Sequence, residues 1–162
     1  MIRNCTIVDA IAIAEIYNYY IQNTIITFEE ELVNSPEIIQ RMEKIHASSL
    51  PYLVYEEDGV IIGYAYAGEF RSRCAYRHTL ESSLYLRNGY SGRGIGEQLY
   101  RELIERLKNT PCHSLIGVVA APNPASSKLH TRLGFNYSGT LRDAGYKFDR
   151  WIDTEYWQLM LA

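Results

Sequence analysis

The chain has 162 residues, 47% of them apolar, with 16 Lys and Arg set against 19 Asp and Glu. That length suits a single domain, residues 1–162, with a sizeable core, and the near balance of charge gives no global field to draw in nucleic acid or an anionic membrane. The N-terminus (Met1-Ile2-Arg3-Asn4) lacks the basic-then-apolar layout of a secretion signal and no apolar run reaches the length of a membrane span, so a cytoplasmic protein is expected.

In chain order, a short strand is expected over Arg3 to Thr6. A helix follows, capped by Asp9 and running to about Gln22, with Ile13, Ile16, Tyr17, Tyr20 and Ile21 on its apolar side. Asn23 to Glu31 reads as a loop or a short extended piece. Ser35-Pro36-Glu37 marks a second helix start, with Ser35 as cap and Pro36 in the first turn, lasting to about Ala47. Pro51 to Tyr55 and Val60 to Ala67 are apolar, aromatic runs separated by Asp58-Gly59, the signal of a type I′ hairpin. Gly68 to Arg73 breaks the pattern, and alternation resumes from His78 to Leu86. Leu80, Ser82, Leu84 and Leu86 fall on one face, and Glu81, Ser83 and Tyr85 on the other.

Residues 90–107 then read as a glycine-rich loop running into a helix with Ile95, Leu99, Leu103, Ile104 and Leu107 on its apolar side. Glycines at 92, 94 and 96 leave backbone N–H groups uncovered at a helix start, where the dipole also favours an anion. A Walker loop is excluded because Glu97-Gln98 follows Gly96. A dinucleotide fingerprint is excluded because Glu97 or Leu99 stands where its third glycine belongs. Pro111 ends this segment, and Ser114 to Ala120 forms a buried strand, so strand, helix and strand make a right-handed parallel crossover. Asn123-Pro124 starts a last helix with Asn123 as cap and Gly134 as its stop. Phe135 to Leu141 and Trp151 to Leu161 complete the strands, linked through Asp143-Ala144-Gly145. The order is that of a mixed α/β sheet whose ligand lies at strand C-terminal ends, between the glycine loop and the Asn123 helix.

Chemistry-bearing residues are few. Cys5, Cys74 and Cys112 are odd in number and widely spaced, which fits neither a disulfide framework nor a zinc site, and no metal is expected. Glu81 lies three to five residues before Leu84-Tyr85-Leu86, on the strand that enters the glycine loop. Spacing alone leaves it as either a solvated strand carboxylate or a general base. His130 titrates near neutrality and could move protons, although a helical histidine is more often a surface or packing residue.

The Ser91-Gly92-Arg93-Gly94-Ile95-Gly96 string resembles the pyrophosphate loop of the GNAT acyl-coenzyme A N-acetyltransferases, differing at Ser91, where that family usually carries Arg or Gln. Further strings narrow the resemblance to the phosphinothricin and methionine sulfoximine acetyltransferase branch. They include Thr27-Phe28-Glu29, Arg73-Cys74-Ala75-Tyr76, Thr79-Leu80-Glu81-Ser82-Ser83-Leu84-Tyr85-Leu86, Pro122-Asn123-Pro124-Ala125-Ser126, Leu129-His130 and Gly145-Tyr146-Lys147. The resemblance covers almost the whole chain. It implies the GNAT fold, a mixed, mostly antiparallel sheet of about seven strands flanked by four helices, and acetyl-coenzyme A as co-substrate. It also implies a small amino-acid-like amine as acceptor and a homodimer. Glu81 would be the catalytic base, working through water, and His130 its acid or base partner where the wider family has tyrosine. Leu84, Tyr85 and Leu86 would bind the pantetheine arm, Ser91 to Gly96 the pyrophosphate, and Asn123 and Ser126 would add coenzyme contacts. Phe28, Arg73, Tyr76 and Lys147 would contact the acceptor, the two cations matching its carboxylate and phosphinate or sulfoximine groups. Arg150-Trp151-Ile152-Asp153 follows the branch at Trp151 and Asp153 but not at Ile152. Two alternatives stay open: another amine, such as a polyamine bound by Glu29-Glu30-Glu31, a protein N-terminus or a lysine; and a non-catalytic acyl-coenzyme A sensor.

Overall fold

The computed structural model describes residues 1–161. Strands β1 (Ile2–Asn4), β2 (Tyr52–Glu57), β3 (Val60–Glu69), β4 (Thr79–Leu86), β5 (Ser114–Ala121), β6 (Asn136–Lys147) and β7 (Arg150–Met160) form one sheet in the order β1-β2-β3-β4-β5-β7-β6. Every neighbouring pair is antiparallel except β4–β5. Helices α1 (Ala10–Asn23), α2 (Ser35–Ala47), α3 (Ile95–Leu107) and α4 (Pro124–Arg132) complete the fold. Among the described residues no helix is long and apolar enough to cross a membrane.

The two sheet faces bury separate cores, as the period-2 alternation of the strands requires. On one face Ile13, Ile16, Tyr17 and Ile21 of α1 and Ile38 and Met42 of α2 pack with Tyr52, Val54 and Tyr64. On the other, Leu99, Leu103 and Leu107 of α3 pack with Leu53, Ala65, Leu80 and Leu115. Six of the fourteen tyrosines belong to the first core, where Tyr52 stacks on Tyr66 at 4.7 Å between centroids and Tyr85 meets Tyr17 edge-on at 5.1 Å. The abundance of tyrosine is therefore mainly packing, with the rings' offset and edge contacts adding to their burial.

Three local expectations are corrected. Asn34, rather than Ser35, caps α2: its side chain accepts the Glu37 N–H at 3.0 Å, which moves Ser35 and Pro36 into the first turn. Asp9 does not cap α1 through its side chain; its carboxylate accepts the Thr6 N–H and two bonds from Arg3, all at 2.8 Å. The final hairpin turns at Phe148-Asp149, both with positive φ, and not at Asp143-Ala144-Gly145. That triplet is absorbed as a bulge, because the Asp153 carboxylate accepts the Asp143 N–H at 2.9 Å and the strand continues beyond it.

One feature of the sheet positions the site. Strand β4 pairs with β5 only from Thr79 to Ser82, against Ser114 to Gly117, yet both strands run on to Leu86 and Ala121. Beyond Ser82 and Gly117 they part, leaving two facing stretches of backbone whose hydrogen-bonding groups on that flank are not used by the sheet.

Candidate active site

A cavity of about 250 Å³ opens where β4 and β5 part, and it is the main one for the chemistry because Glu81 and His130 both line it. Side-chain alternation divides its wall. Glu81, Ser83 and Tyr85 of β4, Val118 and Ala120 of β5 and Thr154 of β7 share one face of the sheet, closed over by Ile26, Thr27 and Phe28. Ser82, Leu84, Tyr100, Ser126, Leu129 and His130 line it from the α3 and α4 side. The cavity thus runs through the sheet between two chemically distinct halves.

Glu81 makes no hydrogen bond or ion pair among the described residues, and its loss of water pushes its pKa above the usual carboxylate value. It also borders a second, open cleft on the β3 and α2 flank, lined by Arg41, Lys44, Ile45, Tyr66 and Glu69. Its cross-strand partner on β3 is Gly68, so no side chain covers it from that direction. Glu81 therefore has access to both spaces.

His130 is buried, the one buried residue of α4. Its Nδ1 lies 2.7 Å from the Ser126 carbonyl, which can only accept, so Nδ1 carries the proton and Nε2 is left as an acceptor. The Tyr100 hydroxyl, 3.3 Å away, donates to Nε2 and in turn bonds to the Ser82 hydroxyl. Phe135 edge-on and Trp157 face-on fix the imidazole plane. Burial lowers the His130 pKa and raises that of Tyr100, so both stay neutral at pH 7. The ring can lie this close to β5 because residue 117 is glycine: an added Cβ would come within 2.7 Å of Cδ2 and nearer still to Nε2.

The glycine loop joins β4 to α3. Gly94, in the left-handed region at φ 77°, precedes the first turn, and no side chain caps the helix. Ser91, Gly92, Arg93 and Gly94 are exposed while Ile95 and Gly96 are buried, so the uncapped amides of the first turn face outward in a form suited to a pyrophosphate. Arg93 is paired with Glu57 at 2.9 Å. The Asn123 side chain accepts from the Ser126 N–H at 3.2 Å and so caps α4. The Tyr20 hydroxyl donates to the Leu86 carbonyl at 2.6 Å, which ties α1 to the end of β4.

The residues expected to contact acceptor are dispersed. Phe28 lines the main cavity with its ring against Gly145. Arg73 and Tyr76 are exposed and share a shallow cleft with Arg71 and Ser72, outside the lining of the main cavity. Lys147 is 1% exposed, and its ammonium donates to the carbonyls of Thr24 and Thr27 at 2.8 Å each. Its visible work is to pin the loop that carries Phe28. Glu29 is likewise committed, taking a bidentate pair from Arg41 at 2.7 and 2.9 Å and a bond from the Tyr17 hydroxyl, which leaves the acidic run poorly disposed to hold a polyamine. None of the three cysteines lines the main cavity, and burial raises the Cys5 thiol to about 12. Sequence patterns do not mark Ser82, Tyr100, Val118, Ala120 or Thr154 as site residues; the packing of α3, β5 and β7 against β4 brings the last four to the cavity that Glu81 lines, and Ser82 enters it from the face opposite Glu81.

A parted β4–β5 pair, a glycine loop at a helix start and a half-desolvated carboxylate define an acyl-coenzyme A transferase architecture. The chain belongs to the GNAT acetyltransferase family: residues 2–156 match the acetyltransferase (GNAT) domain. It is 37% identical over 157 residues to a phosphinothricin N-acetyltransferase of Streptomyces viridochromogenes, covering 97% of this chain and 85% of that protein. To an L-methionine sulfoximine/L-methionine sulfone acetyltransferase of Salmonella typhimurium it is 34% identical over 153 residues, covering 94% and 90%. A crystal structure of a GNAT superfamily phosphinothricin acetyltransferase from Sinorhizobium meliloti in complex with acetyl-coenzyme A superposes with a TM-score of 0.96 at 37% identity, covering all of this chain and 88% of that one.

Proposed function

We propose that the protein transfers the acetyl group of acetyl-coenzyme A directly to the primary amine of a small amino-acid-like acceptor of the phosphinothricin or methionine sulfoximine type. The observation that carries this reading is Glu81, unpaired and partly desolvated, in the wall of a cavity that reaches through the sheet where β4 and β5 part. Bound acetyl-coenzyme A supplies an activated acyl group as a thioester. The unpaired edge of β4 from Leu84 to Leu86 orients the coenzyme's arm, the amides of Ser91 to Gly96 hold its pyrophosphate, and Asn123 and Ser126 support it from α4. Phe28 shapes the acceptor end. Arg73 and Tyr76 guide the acceptor from their own cleft outside the main cavity.

An ammonium acceptor with a pKa near 10 is well under about 1% free amine at pH 7, so a base is required. Glu81 removes one proton from the ammonium through water and releases it to solvent by the cleft on the α2 flank. A second proton ends on the departing sulfur as the C–N bond forms and the C–S bond breaks. Tyr100, positioned by Nε2 of His130, turns its proton from that nitrogen to the sulfur, and the second proton lost by the amine restores the tyrosine by way of the Ser82 hydroxyl, which makes His130 a partner acting through Tyr100. The balance is ammonium plus thioester giving amide, thiol and one released proton. The absence of any cysteine from the cavity wall favours this direct route over an acyl-enzyme. A homodimer in the cytoplasm is part of the proposal. Tyr137, Leu141, Tyr146, Phe148 and Trp151 are exposed on β6, β7 and the turn between them, apolar surface of the kind that subunits cover.

A thiol-release assay with acetyl-coenzyme A and a panel of methionine sulfoximine, methionine sulfone, phosphinothricin, spermidine and an N-terminal peptide tests the function. Turnover of the first three is expected. A preference for spermidine or the peptide would replace the acceptor class, and no turnover with any amine would leave only an acyl-coenzyme A sensor. For the base, Glu81→Gln should abolish the acid limb of the pH–rate profile while acetyl-coenzyme A binding is kept. An unchanged profile would remove Glu81 from that role.

A further inference from the structure

Among the described residues, the Thr154 hydroxyl is the only buried side-chain nitrogen or oxygen without a hydrogen-bond partner. The residue is 5% exposed and lines the main cavity. Its cross-strand partners, Ala120 on β5 and Leu141 on β6, carry no side-chain polar group, and none of the polar side chains that share its wall, Thr27, Glu81, Ser83 and Tyr85, is hydrogen-bonded to it. Valine would fill the same volume without an orphaned hydroxyl, which makes an unpaired threonine here a cost that packing does not explain. A partner arriving with a ligand explains it.

Strand register shows which end of a ligand could reach it. Thr154 pairs with Ala120 on β5, and Glu81 pairs with Ile116 of the same strand, so both side chains share one face. They lie four residues apart along the strand direction, roughly 13 Å, and two strands apart, roughly 10 Å. An amino-acid acceptor whose amine lies at Glu81 keeps its α-carboxylate at that same end, on the carbon that bears the amine. Only its side chain extends toward Thr154.

We propose that Thr154 is a specificity-determining residue whose hydroxyl donates a hydrogen bond to an oxygen on the side chain of the acceptor, the oxide of a sulfone, sulfoximine or phosphinate group. This rests on the function proposed above and sharpens its substrate class: an amino acid with an oxide-bearing side chain is favoured over its oxygen-free counterpart.

The test is steady-state kinetics of Thr154→Val with methionine sulfone, methionine sulfoximine, phosphinothricin and methionine, the last measured as a substrate or, where turnover is slow, as a competing ligand. The kcat/KM for the three oxide-bearing acceptors should fall about five- to tenfold, as loss of one hydrogen bond predicts, with methionine changed less than about twofold. The acetyl-coenzyme A KM should not move, and the variant should melt no lower than the parent. Thr154→Ser, which keeps the hydroxyl, should keep the preference for sulfone over methionine. An equal loss on methionine, or no loss on any acceptor, overturns the contact. Failure of the unaltered protein to turn over any acceptor overturns the function itself and this contact with it.

Discussion

Gly117→Ala adds one methyl group to β5 and aims it at the His130 ring. The ring cannot withdraw: Nδ1 is held by the Ser126 carbonyl, Nε2 by Tyr100, and the faces by Phe135 and Trp157. With an added Cβ within 2.7 Å of Cδ2, either the ring rotates out of its bonds or β5 shifts against its partners. Overpacking of this kind costs about 1–3 kcal/mol, and the broken Tyr100–His130 bond adds about 1 kcal/mol. Replacing a strand glycine recovers about 0.5–1 kcal/mol. A net loss of about 2 kcal/mol lowers the melting temperature by about 4–8 °C in a domain of this size. Because Tyr100 loses the acceptor that aims its hydroxyl, kcat should fall at least about tenfold, within the range general acid–base groups supply, with little change in acetyl-coenzyme A binding. Thermal unfolding by circular dichroism and the thiol-release assay measure both effects. His130→Ala removes the obstacle, so in that background Gly117→Ala should cost nothing, a coupling that a double-mutant cycle detects. Parental melting and kcat in the single variant, or the same penalty with and without the His130 ring, would refute the steric account.

Three further outcomes follow from the geometry. Lys147→Met leaves the Thr24 and Thr27 carbonyls without their donor and frees the Phe28 loop, so the acceptor KM should rise several-fold while the acetyl-coenzyme A KM is unchanged; equal shifts in both would point to general unfolding. Glu81 has a folded pKa raised by burial, so the folded state is penalised wherever the carboxylate is charged, and the penalty vanishes once both states are protonated. Glu81→Gln should therefore melt higher than the parent at pH 8, with the difference shrinking as pH falls through the folded pKa and gone by about pH 3; a constant difference across that range would contradict the desolvation. Gly94→Ala forces alanine to φ 77° at a strain of about 1–2 kcal/mol, and calorimetry should show weaker acetyl-coenzyme A binding with acceptor preference kept.

Much of the fold was legible because it rests on local rules. Alternation from His78 to Leu86, the Asp58-Gly59 turn and the glycine-rich helix start each report a backbone preference that neighbours in sequence suffice to express. Those signals, with the string-by-string resemblance, were enough to determine the family, the crossover and the candidate roles of Glu81 and the Ser91 to Gly96 loop. Three-dimensional contacts decided what remained. Whether a cation meets solvent or a backbone carbonyl depends on what packs over it, so Lys147, whose residue type suits a substrate anion, proved to be buried against the 24–27 loop. The tautomer of His130 depends on the Ser126 carbonyl and the Tyr100 hydroxyl, the latter thirty residues away. The parting of β4 and β5 is a property of register between strands, and it alone brings Thr154, more than seventy residues downstream, to the same cavity as Glu81. Sequence patterns carry periodicity and type; burial and pairing across the sheet are set by the assembled chain.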